Sequence, residues 1–382
     1  MDKKTLWEML TDWKQSPVLR GINRLRIRWH VHDLKSKDWN VRKRAAEVIG
    51  KIAEANPGTK KVLEAVPALM TALKDEDSEV RKSAAEAIGT IAEKHPEYDW
   101  EAVVPYLITA LKDEYWYVRW RAAEAIGKIG VNDKQFETIV RMLKEGETWQ
   151  EREGAAMALG ELKNVRAVPD LITALKDKDS DVRKSAAEAI GKIAEKHPEY
   201  DWEAVVPYLI TALKDKNWYV RERAAEAIEK IVETNPDSKE VLEAVPDLIT
   251  ALKDENWFVR ERAAEALEKI IGRLIEKGEF EEALETIRST TTTIMNFYKG
   301  AFRTARKKNK TMGKDRDLLE ERIKLLEKLD SLTNEVYTRV KEKEGLPNPL
   351  NEKEPMEWKG VKTKQEANIK AKKGCLELLY RQ

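Results

Sequence analysis

Cysteine is all but missing from this 382-residue sequence: Cys375 stands alone. No disulfide can form within the chain, and a reducing compartment is expected. No apolar run approaches the ~18 residues that a membrane span requires. The N-terminus, MDKKTLWEMLTDWKQ, lacks the apolar stretch of a secretion signal, so the expected setting is the cytoplasm, with no membrane partner. There is no Gly-rich phosphate loop and no nucleophile motif, and a lone cysteine offers little for thiol chemistry. Only four histidines are present. These absences argue for a protein that is not an enzyme, with no catalytic residue, metal or cofactor.

Charged residues make up 36% and hydrophobic ones 42%, with 17 Gly and 13 Pro. That mixture is rich in helix formers and far from the composition of a disordered chain. The net charge of +1 names no partner, but its distribution is uneven. Residues 1–44 hold 12 basic and 5 acidic groups and residues 299–382 hold 22 and 14, leaving 36 basic against 50 acidic between them. Basic ends flank an acidic middle.

Repetition dominates that middle. Residues 74–119 and 176–221 are two copies of one 46-residue text that differ only at 76/178, 79/181, 90/192, 114/216 and 115/217. A shorter unit underlies them, marked by Val41–Arg42, Val80–Arg81, Val118–Arg119, Val182–Arg183, Val220–Arg221 and Val259–Arg260, with a degenerate copy at Glu151–Arg152. Successive arginines lie 31 to 39 residues apart, a period that suits stacked helix pairs.

Each unit divides at a turn such as Asp75–Asp77. After it, Val80, Ala84, Ala87, Ile88 and Ile91 recur at spacings of three and four, which predicts one apolar helix stripe. Asp77 or Ser78 can cap that helix. Pro67, Pro105, Pro169, Pro207 and Pro246 each precede the repeat valine by 13 residues. They mark either the first turn of the preceding helix or a kink within it. The predicted fold is all-α: a right-handed α-solenoid of about seven helix pairs with a C-terminal helical hairpin.

The run Asp-x-x-x-x-Val-Arg-x-x-Ala-Ala-x-Ala-Ile-Gly, as in Asp75 to Gly89, resembles HEAT repeats of the phycobilisome-lyase-like type over roughly 29–272. The resemblance implies that second helices line a concave surface and that the repeated arginines pair with turn aspartates. Scaffolds, bilin lyases and deoxyhypusine hydroxylases share this architecture, so it does not by itself assign a function. The hydroxylases hold iron through His-Glu pairs. Here the residues after His30, His32, His95 and His197 are Val31, Asp33, Pro96 and Pro198, so that pattern is missing. His95 and His197 belong to a helix-ending KHPEY turn.

The position two before the repeat valine reads Trp39, Ser78, Trp116, Trp149, Ser180, Trp218 and Trp257. At 100° per residue it shares a stripe with the residues four and eight later, Trp120 and Glu124 in the third unit, away from the core stripe of Val118, Ala122 and Ile126. Trp39, Trp116, Tyr117, Trp120, Arg121, Trp149, Trp218, Tyr219, Trp257 and Phe258 are therefore the candidate partner-binding residues, since aromatics concentrate binding energy. A tryptophan at a helix start can also simply shield a repeat junction. Seven cations, such as Lys82 and Arg121, stand against eleven carboxylates, such as Glu86 and Glu124, on this face, whereas a phosphate-wrapping groove should be net positive. The expected partner is a protein or peptide, with basic residues as a feature this acidity would favour.

Nucleic acid is the second expectation, through the basic ends. Arg20, Arg24, Arg26 and Arg28 lie near one end. Arg303, Arg306, Lys307 and Lys310 share a helix face near the other. The flanks read as helices over 5–14, 18–36, 280–308 and 315–344, with a proline-interrupted loop at 345–355 and a short basic helix to about 380. The domain reading is 1–37 as N-terminal cap and first helix, 38–277 as solenoid, 278–344 as helical hairpin and 345–382 as loop and terminal helix. A basic tail segment folding back onto the acidic repeats is a further expectation. Oligomeric state is left open.

Overall fold

A computed structural model describes residues 26–234, 239–279, 281–283 and 285–294, and positions 328, 332 and 335. The expectations for 5–14, for 345–382, for nearly all of 315–344 and for the basic clusters Arg20/Arg24 and Arg303/Arg306/Lys307/Lys310 fall outside the described residues. The chain forms two units, Met1–Ile193 and Ala194–Gln382. Among the described residues there is no strand, and the architecture is an α-solenoid.

The first described helix of unit 1 covers 26–33, α1. Long and short helices then alternate: α2 (Trp39–Ala55), α3 (Val66–Ala72), α4 (Ser78–Lys94), α5 (Val104–Ala110), α6 (Trp116–Ile129), α7 (Asp133–Glu145), α8 (Trp149–Leu162), α9 (Val168–Ala174) and α10 (Ser180–Lys196), within which the unit ends. The second helices α2, α4, α6 and α8 pack in sequence order, each against the next, and the first helices α3, α5 and α7 pack on their own partners. Unit 2 continues with α11 (Val206–Ala212), α12 (Trp218–Thr234), α13 (Lys239–Glu243), α14 (Val245–Ala251) and α15 (Trp257–Lys277). Residues 281–283 and 285–294 are helical, and α12 packs on α15.

Local chemistry explains these boundaries. Asp77 accepts from the Glu79 and Val80 amides and so caps α4, satisfying donors that have no partner within the helix. The recurrent prolines sit at the second position of α3, α5, α9, α11 and α14, where a missing N–H costs nothing. The kink alternative takes a specific form at Pro67: a 3-10 turn, Lys60–Ala65, runs directly into α3. The degenerate fourth unit differs. Its first helix, α7, has no proline and instead begins with a reciprocal Asn132–Gln135 capping box. Gly278, at φ 78°, ends α15 in the left-handed conformation that glycine adopts without strain.

The predicted stripe is buried throughout: Val80, Ala84, Ala87, Ile88 and Ile91 are all at most 2% exposed. Burying one Ile or Val side chain contributes about 1.5–3 kcal/mol. Small residues set how closely the helices stack. A Cβ placed on Gly160 would stand 2.8 Å from the Ala189 Cα, closer than real Cβ contacts come, so glycine there lets α8 and α10 approach backbone to backbone.

Candidate binding surface

The repeated arginines are structural. Arg81 donates through Nη1 to the Asp75 and Glu76 carbonyls of its own turn, at 2.8 and 3.0 Å, and through Nε to Asp113 of the next turn at 2.5 Å. Arg42–Asp75 and Arg152–Asp177 repeat this in unit 1, and Arg221–Asp254 does so in unit 2. The aspartate hydrogen bond raises each guanidinium further above its ordinary pKa. Each arginine thus closes its own turn and ties it to the following one, the pairing across repeats that sequence alone left open.

Beside this ladder the aromatics come to the surface. In unit 1, Tyr115, Trp116 and Tyr117 are 47–50% exposed, and Trp39 is 41% exposed. The Trp116 ring lies 3.8 Å from Tyr117 and 5.9 Å from Trp120, centroid to centroid. Cations share these faces: Arg121 lies 4.3 Å from the Trp120 centroid and Lys82 5.7 Å from that of Tyr117. Trp149 differs, being half-buried with the Arg119 guanidinium 5.0 Å from its ring, a place that suits shielding of the junction. In unit 2 Trp218 stacks on Tyr219 at 3.5 Å and lies 5.8 Å from Phe258, while Trp257 lies 3.9 Å from Phe258. Tyr219, Trp257 and Phe258 are exposed.

Tyr115 is a further candidate that the tryptophan pattern misses. It occupies the N-cap of α6 and makes no side-chain cap, whereas Asp38, Asp77 and Thr148 cap their helices in unit 1 and Asn256 does so in unit 2. In the duplicate copy the same position is Asn217, whose Oδ1 accepts from the Tyr219 amide at 2.9 Å. A tyrosine at a cap forgoes about 1 kcal/mol of helix stability. The signal was available in the sequence as one of the five differences between the two copies.

Two other tryptophans serve the core. Trp202 is fully buried and Trp100 nearly so. Their indole N–H groups donate to the His197 and His95 carbonyls, so these histidines take part in fixing the KHPEY turns, and the His95 amide closes α4 on Ile91. Among the described residues, no three His, Cys, Asp or Glu side chains are grouped to hold a metal ion. No helix among them is long and apolar enough to cross a membrane.

The acidity of the second-helix face is largely internal. Lys43 and Lys82 both reach Glu79, at 3.2 and 2.8 Å. Arg121 bridges Glu86 and Glu124, Lys128 meets Glu93, and Lys192 bridges Glu161 and Glu188. In unit 2 Arg262 pairs with Glu265 and Lys269 with Glu233. The pairs Lys43–Glu79, Arg121–Glu86, Lys128–Glu93, Lys192–Glu161 and Lys269–Glu233 cross-link adjacent helices, and all of them damp the field that a count of charges suggests.

Sequence models of HEAT repeats match residues 31–99 and 103–131, and the model described as EF3 N-terminal HEAT repeat matches 164–267. The chain therefore contains HEAT repeats. No curated protein matches the sequence. Among solved structures, yeast importin-beta (Kap95p) is similar, with a TM-score of 0.65 at 17% identity, covering 96% of this chain and 48% of that one. Kap95p in a study with RanGDP gives 0.66 at 18% identity, covering 92% and 47%, and the Kap95:Nup1 complex gives 0.62 at 19%, covering 82% and 42%. This chain thus spans under half the length of these structures, and at such identity the likeness establishes the fold.

Proposed function

We propose that this protein is a non-catalytic interaction scaffold that binds a protein or peptide through the exposed aromatic clusters at the starts of its second helices. The carrying observation is Tyr115. An exposed aromatic stands where a cap is wanted, next to Trp116 and Tyr117, while the duplicate copy keeps the cap. Residues that break a local rule without a packing return mark functional surface, and an aromatic group of this size buries large area at low entropic cost. In unit 1 the surface comprises Tyr115, Trp116, Tyr117, Trp120 and Arg121, with Trp149 on the neighbouring α8 and Trp39 on α2. In unit 2 it comprises Trp218, Tyr219, Trp257 and Phe258. The solved relatives named above include complexes with the proteins Ran and Nup1, which favours a protein ligand for a chain of the same fold. Such a scaffold works in the cytoplasm without a cofactor, and its repeats are of the phycobilisome-lyase-like type.

The test is an affinity pull-down from native lysate with the full chain, comparing wild type with Trp116→Ala/Trp120→Ala and reading both protein and nucleic acid. A protein captured by wild type and lost from the variant is the expected result. Nucleic acid retained by both would overturn the reading and move the function to the basic segment around Arg303 and Arg306.

A further inference from the structure

The turn residue two before each second helix is exposed in every repeat. In unit 1 these residues are Lys37, Glu76, Glu114, Glu147 and Lys178. The repeat that carries the Tyr115–Trp116–Tyr117 cluster and the one on either side of it thus each place a carboxylate at this position. Among the described residues Glu114 and Glu147 make no ion pair, and Glu76, 3.2 Å from Arg42, keeps its side chain 86% exposed. The neighbouring turn lysines are drawn elsewhere: Lys112 to Glu151 and Lys144 to Asp170, each at 3.1 Å, and Lys74 over the Tyr106 ring. Lys82 and Arg121, on the aromatic faces, are already neutralised by Glu79, Glu86 and Glu124. The net free charge at this rim is negative.

The duplicate copy shows that this charge is not required for folding. Of the five differences between the copies, two fall at this rim position and reverse its sign, Glu76 against Lys178 and Glu114 against Lys216. A third is the adjacent Tyr115 against Asn217. The buried positions are the same in both copies. Three of the five differences therefore lie at or beside one exposed rim position.

We infer that the aromatic cluster of unit 1 selects a basic segment in polyproline-II-like extension, with a lysine or arginine at every third residue. This rests on the aromatic surface proposed above and adds the chemistry of its ligand. Packed helices lie about 8–10 Å apart, so the rim carboxylates recur at about that interval. A polyproline-II chain turns once in three residues and rises about 9.3 Å in doing so, which returns every third side chain to one face at a matching interval. The residues between would lie on the tyrosine and tryptophan rings, and the cations would meet Glu76, Glu114 and Glu147.

Fluorescence anisotropy of labelled (Lys-Pro-Pro)4 and (Glu-Pro-Pro)4 on the full chain at low salt tests this. Wild type should bind the lysine peptide in preference. Glu76→Lys/Glu114→Lys, which installs the residues that the duplicate copy carries natively, should weaken that binding about tenfold or more with an unchanged Tm. Equal binding by this variant and wild type, preference for the glutamate peptide, or binding of neither peptide would overturn the inference. If the natural ligand still depends on Trp116 and Trp120, the aromatic surface survives that failure. If Trp116→Ala/Trp120→Ala binds (Lys-Pro-Pro)4 like wild type, the surface itself is wrong.

Discussion

The Arg119 guanidinium is held by Glu153 of the following repeat, with Nε 2.9 Å from Oε2 and both side chains almost wholly buried. The rungs Arg42–Asp75, Arg81–Asp113, Arg152–Asp177 and Arg221–Asp254 each end on a turn aspartate. In the fourth repeat that position is Gly146, and a Cβ there would stand 2.5 Å from the Met142 carbonyl oxygen. An aspartate does not fit, and Glu153, on α8 itself, supplies the carboxylate.

Removing that carboxylate leaves a buried guanidinium uncompensated. Glu153→Ala should therefore destabilise unit 1 by about 3–5 kcal/mol, read as a lower urea midpoint. Gly146→Asp in the same background should not restore it, because its Cβ collides with α7. A midpoint for Glu153→Ala within error of wild type would refute the ladder's role at this rung.

Two glycines should respond in opposite directions to alanine. At Gly154 an added Cβ runs into the Leu111 carbonyl, so Gly154→Ala should cost about 1–3 kcal/mol. At Gly272, in the interior of α15, nothing lies within 4 Å of an added Cβ, so Gly272→Ala should stabilise by about 0.4–1 kcal/mol. Thermal denaturation of the two variants, scored against wild type, checks both signs.

Glu229 on α12 stands where the earlier repeats carry glycine, at Gly50, Gly89, Gly127, Gly160 and Gly191. It is 8% exposed, and among the described residues its Oε2 has no hydrogen-bond partner. Burial, then the nearby Glu265 carboxylate, raise its pKa above the ordinary value, while Lys230 and Arg262 act against this less strongly. A carboxyl whose folded pKa is raised binds more protons folded than unfolded, so its effect on stability worsens as pH climbs from the unfolded to the folded pKa. Glu229→Gln should thus raise the Tm at pH 7, and its advantage over wild type should shrink on acidification through that window. Glu79, Glu93 and Glu233 have lowered pKa values and weaken both proteins alike at low pH, so the difference between variant and wild type is the diagnostic quantity. An advantage that is constant with pH would show that Glu229 is not a buried titrating group.

The helix pairs and the buried stripe of Val80 to Ile91 were readable beforehand, as was a cap at Asp77 or Ser78, while Pro67 was readable as either the start of α3 or a kink. Periodicity, capping and proline chemistry act within a few residues of one another, and the repeat states them several times over. The aromatic row was readable only in part. Trp116 and Trp100 are equally rare residues in the text, yet one is half-exposed and the other lies on a histidine carbonyl in the core.

What the sequence by itself determined about this protein is therefore its repeating local grammar: helices, turns and the direction of each apolar face. Three things waited for the tertiary structure: which carboxylate receives each arginine, how far the face charges cancel, and which aromatic rings remain outside. Each depends on side chains some 25 to 40 residues apart meeting across packed helices. The distance between them is set by small residues such as Gly160 and Ala189, and no spacing within a single helix encodes it.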